Sequence, residues 1–155
     1  HYDTVSEALT ATTAFPKYEG QIMIIPISGI HETTQKALSI AALQHCSAVY
    51  ALYVGQSKQQ VMEMEQAWAN FAPHIRLITF VSNDQHLLKP ILRAIHKLHV
   101  LATKQHVHVL VAIPQLVTTK KQHALLHNHH AFMLKQALLD NPDISVLTIP
   151  FRLTR

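Results

Sequence analysis

The sequence contains little glycine, little cysteine and no long hydrophobic run. Its three glycines do not have the spacing of a Gly-x-Gly-x-x-Gly fingerprint or a Walker A loop, which excludes the common phosphate loops. The single cysteine, Cys46, cannot form an internal disulfide and fits a reducing compartment. No apolar run approaches the roughly 20 residues that a membrane-spanning helix needs.

Charged and aromatic residues are also scarce. Charged residues make up 14% and hydrophobic residues 48% of the chain, a balance typical of a folded domain whose sheet is covered on both faces. The formal net charge is +4 with thirteen neutral histidines, but lysine and arginine are scattered and aromatic residues amount to 6%. This composition predicts no nucleic-acid partner.

Catalytic carboxylates are missing where an α/β enzyme needs them. Asp84 alone follows a predicted strand, and its position suits the start of a helix better than acid/base chemistry. Ser28 and Gly29 lack the remainder of a nucleophile elbow. Cys46 has no orienting base beyond the adjacent His45, which points in another direction. The sequence therefore predicts a protein that is not an enzyme.

What the chain does contain is a regular alternation of strands and helices. Apolar runs at 22–26, 107–114 and 145–150 each stop at a proline, which predicts buried strands ending at the edge of a sheet. Runs at 48–54 and 75–81 supply two more strands. Helical stretches separate all five, so we expect an α/β fold with a doubly wound parallel five-stranded sheet, order 3-2-1-4-5, and four helices.

Helix starts are marked by three capping-box patterns. A hydroxyl residue precedes glutamine by three positions at 57–60, 82–85 and 119–122, and each pattern predicts the start of a helix. Residues 1–20 differ from the rest in being rich in threonine and alanine. We interpret 1–20 as a tether or linker and 21–155 as the folded domain.

The predicted strand order places a candidate binding site at one crevice. The three proline-ended strands would be neighbours, and Pro26, Pro114 and Pro150 would open onto a shared hollow at the switch point of the sheet. Ser28 and Gly29 precede the first helix, where free amides and the helix dipole favour an anion. Ser-Gly before a helix is also ordinary turn chemistry, and both interpretations stay open.

Histidines recur on the fourth predicted helix. His123 and His127 are four residues apart, so they share one helix face, and His130 follows three residues later. Neutral imidazoles at this spacing can hold zinc, but no carboxylate joins them. We therefore predict no metal site and interpret these histidines as polar-face or ligand-contacting residues.

Several motifs resemble one family. They are IIPISGIH at 24–31, AIP at 112–114, LLHN at 125–128 with Ala131, LKQAL at 134–138 and IPF at 149–151. From residue 21 to the end, the chain resembles the cytosolic C-terminal domain of bacterial APC-superfamily permeases, especially the KimA-type potassium importers. The sequence departs from the ATP-binding universal stress proteins, since QLVTTKK at 115–121 stands where they carry a glycine-rich run.

The resemblance implies a function and a set of partners. It implies a universal-stress-protein-like fold, a homodimer, and a regulatory domain at the cytoplasmic face of the cell membrane, tethered by 1–20 to its own transmembrane domain. It further implies that the nucleotide second messenger cyclic di-AMP binds the domain and inhibits potassium import. No other cofactor is expected.

Candidate ligand contacts follow from this resemblance and from the predicted crevice. They are Pro26, Ser28, Gly29, Ile30, His31, Gln115, His123, His127 and Asn128. Two alternatives stay open: a ligand-free structural dimerisation domain of an amino-acid permease, and a freestanding ATP-binding universal stress protein. Bound ATP that copurifies with the chain would favour the second of these.

Overall fold

Strands rich in β-branched and aliphatic residues form one parallel sheet with helices on both faces. The computed structural model of the chain describes residues 17–118 and 131–153. In chain order the elements are β1 (Gly20–Pro26), α1 (Glu32–Ala41), β2 (Ala48–Gly55), α2 (Lys58–Phe71), β3 (Arg76–Val81), α3 (Leu88–Lys104), β4 (Val107–Thr118), α4 (131–138) and β5 (Ile144–Leu153). No helix within these residues is both long and apolar enough to cross a membrane.

The strand order is β3-β2-β1-β4-β5, as predicted. All four neighbouring pairs are parallel, and β1 lies at the centre, where Ile24 is in register with Tyr50 of β2 and Val111 of β4. The chain leaves β1 toward β2 and β3, then crosses back to β4. The predicted α/β, doubly wound fold with four helices is therefore confirmed, and its switch point lies between β1 and β4.

Alternate residues of the central strand serve two separate cores. Met23 and Ile25 pack with α1 and α2, whereas Ile24 packs with α3 and α4. All three side chains are fully buried. Because a strand that is covered on both faces must be apolar at every position, β1 shows a continuous apolar run instead of an alternating pattern.

Two of the predicted strand ends are wrong. β4 continues past Pro114 to Thr118, and β5 continues past Pro150 to Leu153, with Thr118 and Leu153 in register. β1 pairs with β4 only as far as Val111, so beyond that point β4 has a neighbour on one side only. A proline is tolerated where its missing N–H would face an open side, which explains why neither residue ends its strand.

One of the predicted helix starts is confirmed and one is wrong. The Ser57 hydroxyl accepts a hydrogen bond from Gln60 N at 3.1 Å, which caps α2. The next helix, α3, begins at Leu88 and not near Ser82, whose hydroxyl accepts from Asp84 N. The later start places Pro90 in the first turn, where a helix does not need the N–H that proline lacks. The third pattern, at 119–122, lies outside the described residues.

Candidate ligand-binding site

A cavity of about 1140 Å³ opens at the carboxyl ends of β1 and β4. Its walls come from the turn between β1 and α1, the first turns of α1 and α3, and one side of α4. This is the switch point of the sheet, where the chain leaves β1 and β4 in opposite directions and the helices cannot close the gap. The cavity is therefore a consequence of the strand order.

The turn between β1 and α1 forms the floor of the cavity. Ile27 continues past the end of β1, and its N–H donates to the Leu52 carbonyl at 2.9 Å. Its side chain is 8% exposed and belongs to the core, which fixes the turn against the sheet. Ser28 then projects to the surface, and Ile30 lines the cavity. The turn is thus anchored on one side and free on the other.

Thr34 holds this turn to the helix that follows it. Its side chain is 2% exposed, and its hydroxyl donates to the Gly29 carbonyl at 2.8 Å. The same hydroxyl accepts from His31 N at 3.4 Å. Sequence reasoning missed this residue, although a hydroxyl three residues into a helix, where it can accept from the N-cap N–H, was a usable signal.

The His31 ring lies over Gly29, in space that a side chain at this position would enter. A Cβ built on Gly29 would stand 2.6 Å from His31 Nε2, closer than real Cβ contacts come. The φ angle of Gly29 is not positive, so close approach and not backbone conformation restricts a side chain here. The side chain of His31 is therefore directed back over the turn, at the edge of the cavity.

The polar side of the cavity is the start of α1. The first N–H groups of a helix have no partner within it, and they carry the positive end of the helix dipole. The Ser28 and Thr33 hydroxyls line the cavity beside them. Among the described lining residues Glu32 has the one formal charge, and it is negative. Anion binding here relies on N–H groups and hydroxyls against the repulsion of one carboxylate.

The opposite side of the cavity is apolar. Leu88 and Ile91 of α3 face Ile113 of β4, and Leu134 of α4 and Phe151 of β5 complete the wall. Gln85 lies at the rim and provides amide hydrogen-bonding groups. An apolar wall facing a few polar groups is the usual construction of a site for an organic ligand. A flat aromatic base with an attached phosphate matches both sides.

The structure brings together four of the nine predicted contacts along the cavity: Pro26, Ser28, Ile30 and His31. Gly29 lies in the same turn beneath the His31 ring. Gln115 does not line the cavity, and its Oε1 accepts from Lys135 Nζ at 3.0 Å. The remaining three, His123, His127 and Asn128, fall outside the described residues. All nine stay predictions as ligand contacts.

The prediction that three prolines open onto a shared hollow is partly correct. Pro26 and Pro114 line the cavity, but Pro150 does not, and its neighbour Phe151 takes that place. The Pro150 carbonyl accepts a hydrogen bond from Lys36 Nζ of α1. Since the N–H and C=O of a strand residue point to the same side, this contact shows that the missing N–H of Pro150 faces away from the sheet.

Comparison with known proteins places the chain in one group. Residues 19–151 match the family described as the KimA potassium transporter C-terminal domain. The chain is also 30% identical over 152 residues to the potassium transporter KimA of Bacillus subtilis strain 168, which covers 97% of this chain and 25% of that protein. The chain thus spans about a quarter of the length of this relative.

Proposed function

The chain belongs to the KimA potassium transporter C-terminal domain family, and from this premise we propose that it regulates a potassium transporter by binding cyclic di-AMP in the cavity. In this proposal the domain lies at the cytoplasmic face of the membrane, tethered to its own transmembrane domain, and ligand binding inhibits potassium import. The single observation that carries the ligand assignment is the cavity at the switch point, with a helix start on one side and an apolar wall on the other.

The size of the cavity is sufficient for one adenine nucleotide half of the ligand, and a second chain would hold the other half. Pockets for drug-sized ligands are about 300–1,000 Å³, and a cavity of about 1140 Å³ exceeds that range. The apolar wall of Leu88, Ile91 and Ile113 suits an adenine ring. The α1 amides with Ser28 suit a phosphate, because N–H groups and hydroxyls donate to its oxygens.

A second copy of the chain is the proposed partner. Cyclic di-AMP has two-fold symmetry, and so has the commonest protein dimer, in which one patch is presented twice. Along β5 the ladder is formed with β4 on one side only, and a free strand edge is a template for association. Phe132 of α4 and Leu139, the residue after its end, are 57% and 66% exposed, so apolar surface is available as well.

The chemistry of the cavity gives no support to catalysis. Glu32 is the one carboxylate among its described lining residues, and general acid/base hydrolysis uses a pair of groups with separated roles. A regulatory role needs binding alone. We therefore assign the site to ligand sensing.

Calorimetric titration of the chain with cyclic di-AMP tests the assignment. We expect saturable binding with one ligand for two chains, and no comparable binding of ATP or AMP. Replacing Leu88→Asp places a charge in the apolar wall at the first residue of α3, where the helix dipole favours an acidic side chain, and is expected to abolish binding. Met62→Asp on the exposed face of α2 is the control. Absence of binding at tens of micromolar would remove the ligand and favour the ligand-free dimerisation domain.

The regulatory half of the proposal is tested in the full transporter. Potassium uptake by the protein that carries this domain is expected to fall when cyclic di-AMP is present on the cytoplasmic side. The variant with Leu88→Asp is expected to take up potassium in either condition. Uptake that responds equally in both proteins would contradict inhibition through this cavity.

A further inference from the structure

Helix α3 carries cations on its outer face and no acidic residue along its length. Its sequence, LKPILRAIHKLHVLATK, holds four lysine and arginine residues and two histidines. Lys89, Arg93, Lys97 and Lys104 are all exposed. Their spacing of four, four and seven residues places them on one side of a helix. With His96 and Val100, which share that side, they form what we call the cationic stripe.

The stripe is long and little neutralised. From Lys89 to Lys104 it extends about 22 Å at the rise of an α-helix. Asp84 is the one carboxylate within the described residues that forms an ion pair with it, at 3.3 Å from Arg93. Lys97 Nζ lies 6.0 Å from the centre of the Phe80 ring, which leaves its charge in place. Among residues 17–118 and 131–153 no further carboxylate pairs with these charges, which leaves them able to bind a partner.

The position of the stripe brings it near the upstream part of the chain. Helix α3 starts beside the cavity, where Leu88 forms part of the wall, and runs to the opposite edge of the sheet. At that edge Glu19 N donates to the His106 carbonyl at 2.9 Å, immediately before β1 begins. The chain thus enters the domain next to the last turn of α3. In a tethered domain this is the end that lies closest to the membrane.

We propose that the cationic stripe is a docking surface for the anionic headgroups of the membrane to which the domain is tethered. The inference rests on the proposed function only for the presence of that membrane nearby. Lysines close to an anionic bilayer surface are attracted to it, and the attraction falls off within a Debye length. A helix face of this length can place all four cations on one plane.

Two features favour lipid over other polyanions. Val100 and Leu101 are 54% and 57% exposed beside the cations, and apolar side chains are stable at the boundary between headgroups and acyl chains. The helix has no phenylalanine, tyrosine or tryptophan, the side chains that supply most base-stacking area in single-strand-binding proteins. A nucleic acid would therefore contact mainly the charged side chains, whereas a bilayer surface would contact both the charged and the apolar side chains.

Vesicle flotation with the purified chain tests this proposal without any nucleotide. We expect the chain to float with vesicles of phosphatidylglycerol and phosphatidylcholine, to stay in solution with phosphatidylcholine alone, and to be released by high salt. Each lysine near such a surface changes the partition about fivefold, so Lys89→Gln, Lys97→Gln and Lys104→Gln together are expected to lower it about a hundredfold.

A second triple variant with the same charge change is the control. Lys58→Gln, Arg76→Gln and Arg152→Gln remove three exposed cations that lie outside α3, and we expect at most a fivefold decrease in partition. All six side chains are exposed, and exposed substitutions usually change stability little, so both triple variants are expected to melt within a few degrees of the parent chain.

Three results would overturn the proposal. They are absence of binding to phosphatidylglycerol vesicles, equal loss in the two triple variants, and a stripe variant that loses binding to duplex DNA while its vesicle binding is unchanged. The vesicle experiment does not depend on cyclic di-AMP. Failure of the nucleotide titration with intact vesicle binding would therefore remove the ligand and leave the docking surface.

Discussion

Two turns in this domain follow adjacent central strands and lead into helices, yet they are built differently. In the turn after β2, two backbone N–H groups are paired with side chains of the same turn. Gln60 N donates to Ser57 Oγ at 3.1 Å, and Gln56 N donates to Gln60 Oε1 at 2.9 Å. In the turn after β1, the Thr34 hydroxyl donates to Gly29 O, and the following helix start borders the cavity. Both helix starts are therefore capped by side chains, and they differ in what lies beside them: the start of α1 borders the cavity, whereas the start of α2 does not.

The difference shows how one architecture yields both a structural turn and a candidate site. Both turns sit at the carboxyl edge of the sheet, so position alone does not distinguish them. Buried Thr34 and the close approach of His31 to Gly29 make the β1 turn rigid without covering it. We expect substitutions in the β1 turn to affect binding, and matched substitutions in the β2 turn to affect stability alone.

The largest effect is expected from Thr34→Val. This change keeps the shape of the side chain but leaves the buried Gly29 carbonyl without its donor, which costs about 1–3 kcal/mol of unfolding free energy. Because the β1 turn is then no longer held to α1, cyclic di-AMP affinity is expected to fall at least tenfold. Denaturant unfolding and calorimetry measure the two effects. Thr34→Ser, which retains the hydroxyl, should recover most of the affinity.

Gly29→Ala is expected to act mainly on binding. The new methyl group would displace the His31 ring, which is flexible enough to move at little cost in stability. The matched change Gly55→Ala, at the end of β2, meets Val61 Cγ2 at 2.8 Å in a packed core. Such overpacking is expected to cost about 1–3 kcal/mol without changing affinity. Equal affinities for both variants would show that the position of His31 is irrelevant to the ligand.

Ser57→Ala tests the same contrast in the turn after β2. Loss of the N-cap of α2 is expected to cost about 1 kcal/mol of unfolding free energy. Its affinity for cyclic di-AMP should equal that of the parent chain, because the α2 start does not border the main cavity. A clear loss of affinity in this variant would mean that both turns contribute to ligand binding, and would contradict a site confined to the β1 turn.

The smallest effect is expected from Glu32→Gln. Removing the acidic residue from the first turn of α1 gives up about 0.3–1 kcal/mol of favourable interaction with the helix dipole. The same change removes the negative charge that lines the cavity, so a phosphate-bearing ligand should bind a few-fold more tightly. Glu63→Gln on α2 is the control. Weaker binding by the Glu32 variant would indicate that the carboxylate contacts the ligand directly.

The order of the sheet and the position of the β1 turn at the cavity could be predicted from the sequence. Continuous apolar runs identify strands covered on both faces, and alternation with helices fixes parallel order, so β1 and its Ser28-Gly29 turn were predictable. Gln115 does not line the cavity, because β4 continues past Pro114, the residue at which the sequence pattern predicted the end of the strand. That depends on the register between β4 and β5, which the sequence does not display.

Thr34 and the wall on α3 were missed for a different reason. Thr34 resembles any polar residue in a helix, and only the fold reveals that it is buried against Gly29. Leu88 and Ile91 fit the apolar stripe that covers the sheet. Their second role, as a wall of the cavity, appears only once the late start of α3 at Leu88 is known.

Amide chemical-shift mapping during titration with cyclic di-AMP tests the central claim most directly. The account predicts large shifts for the amides of residues 28–34, smaller shifts along the first turn of α3, and none for residues 56–60. Shifts concentrated at 56–60, or spread evenly over the sheet with none in the β1 turn, would contradict it.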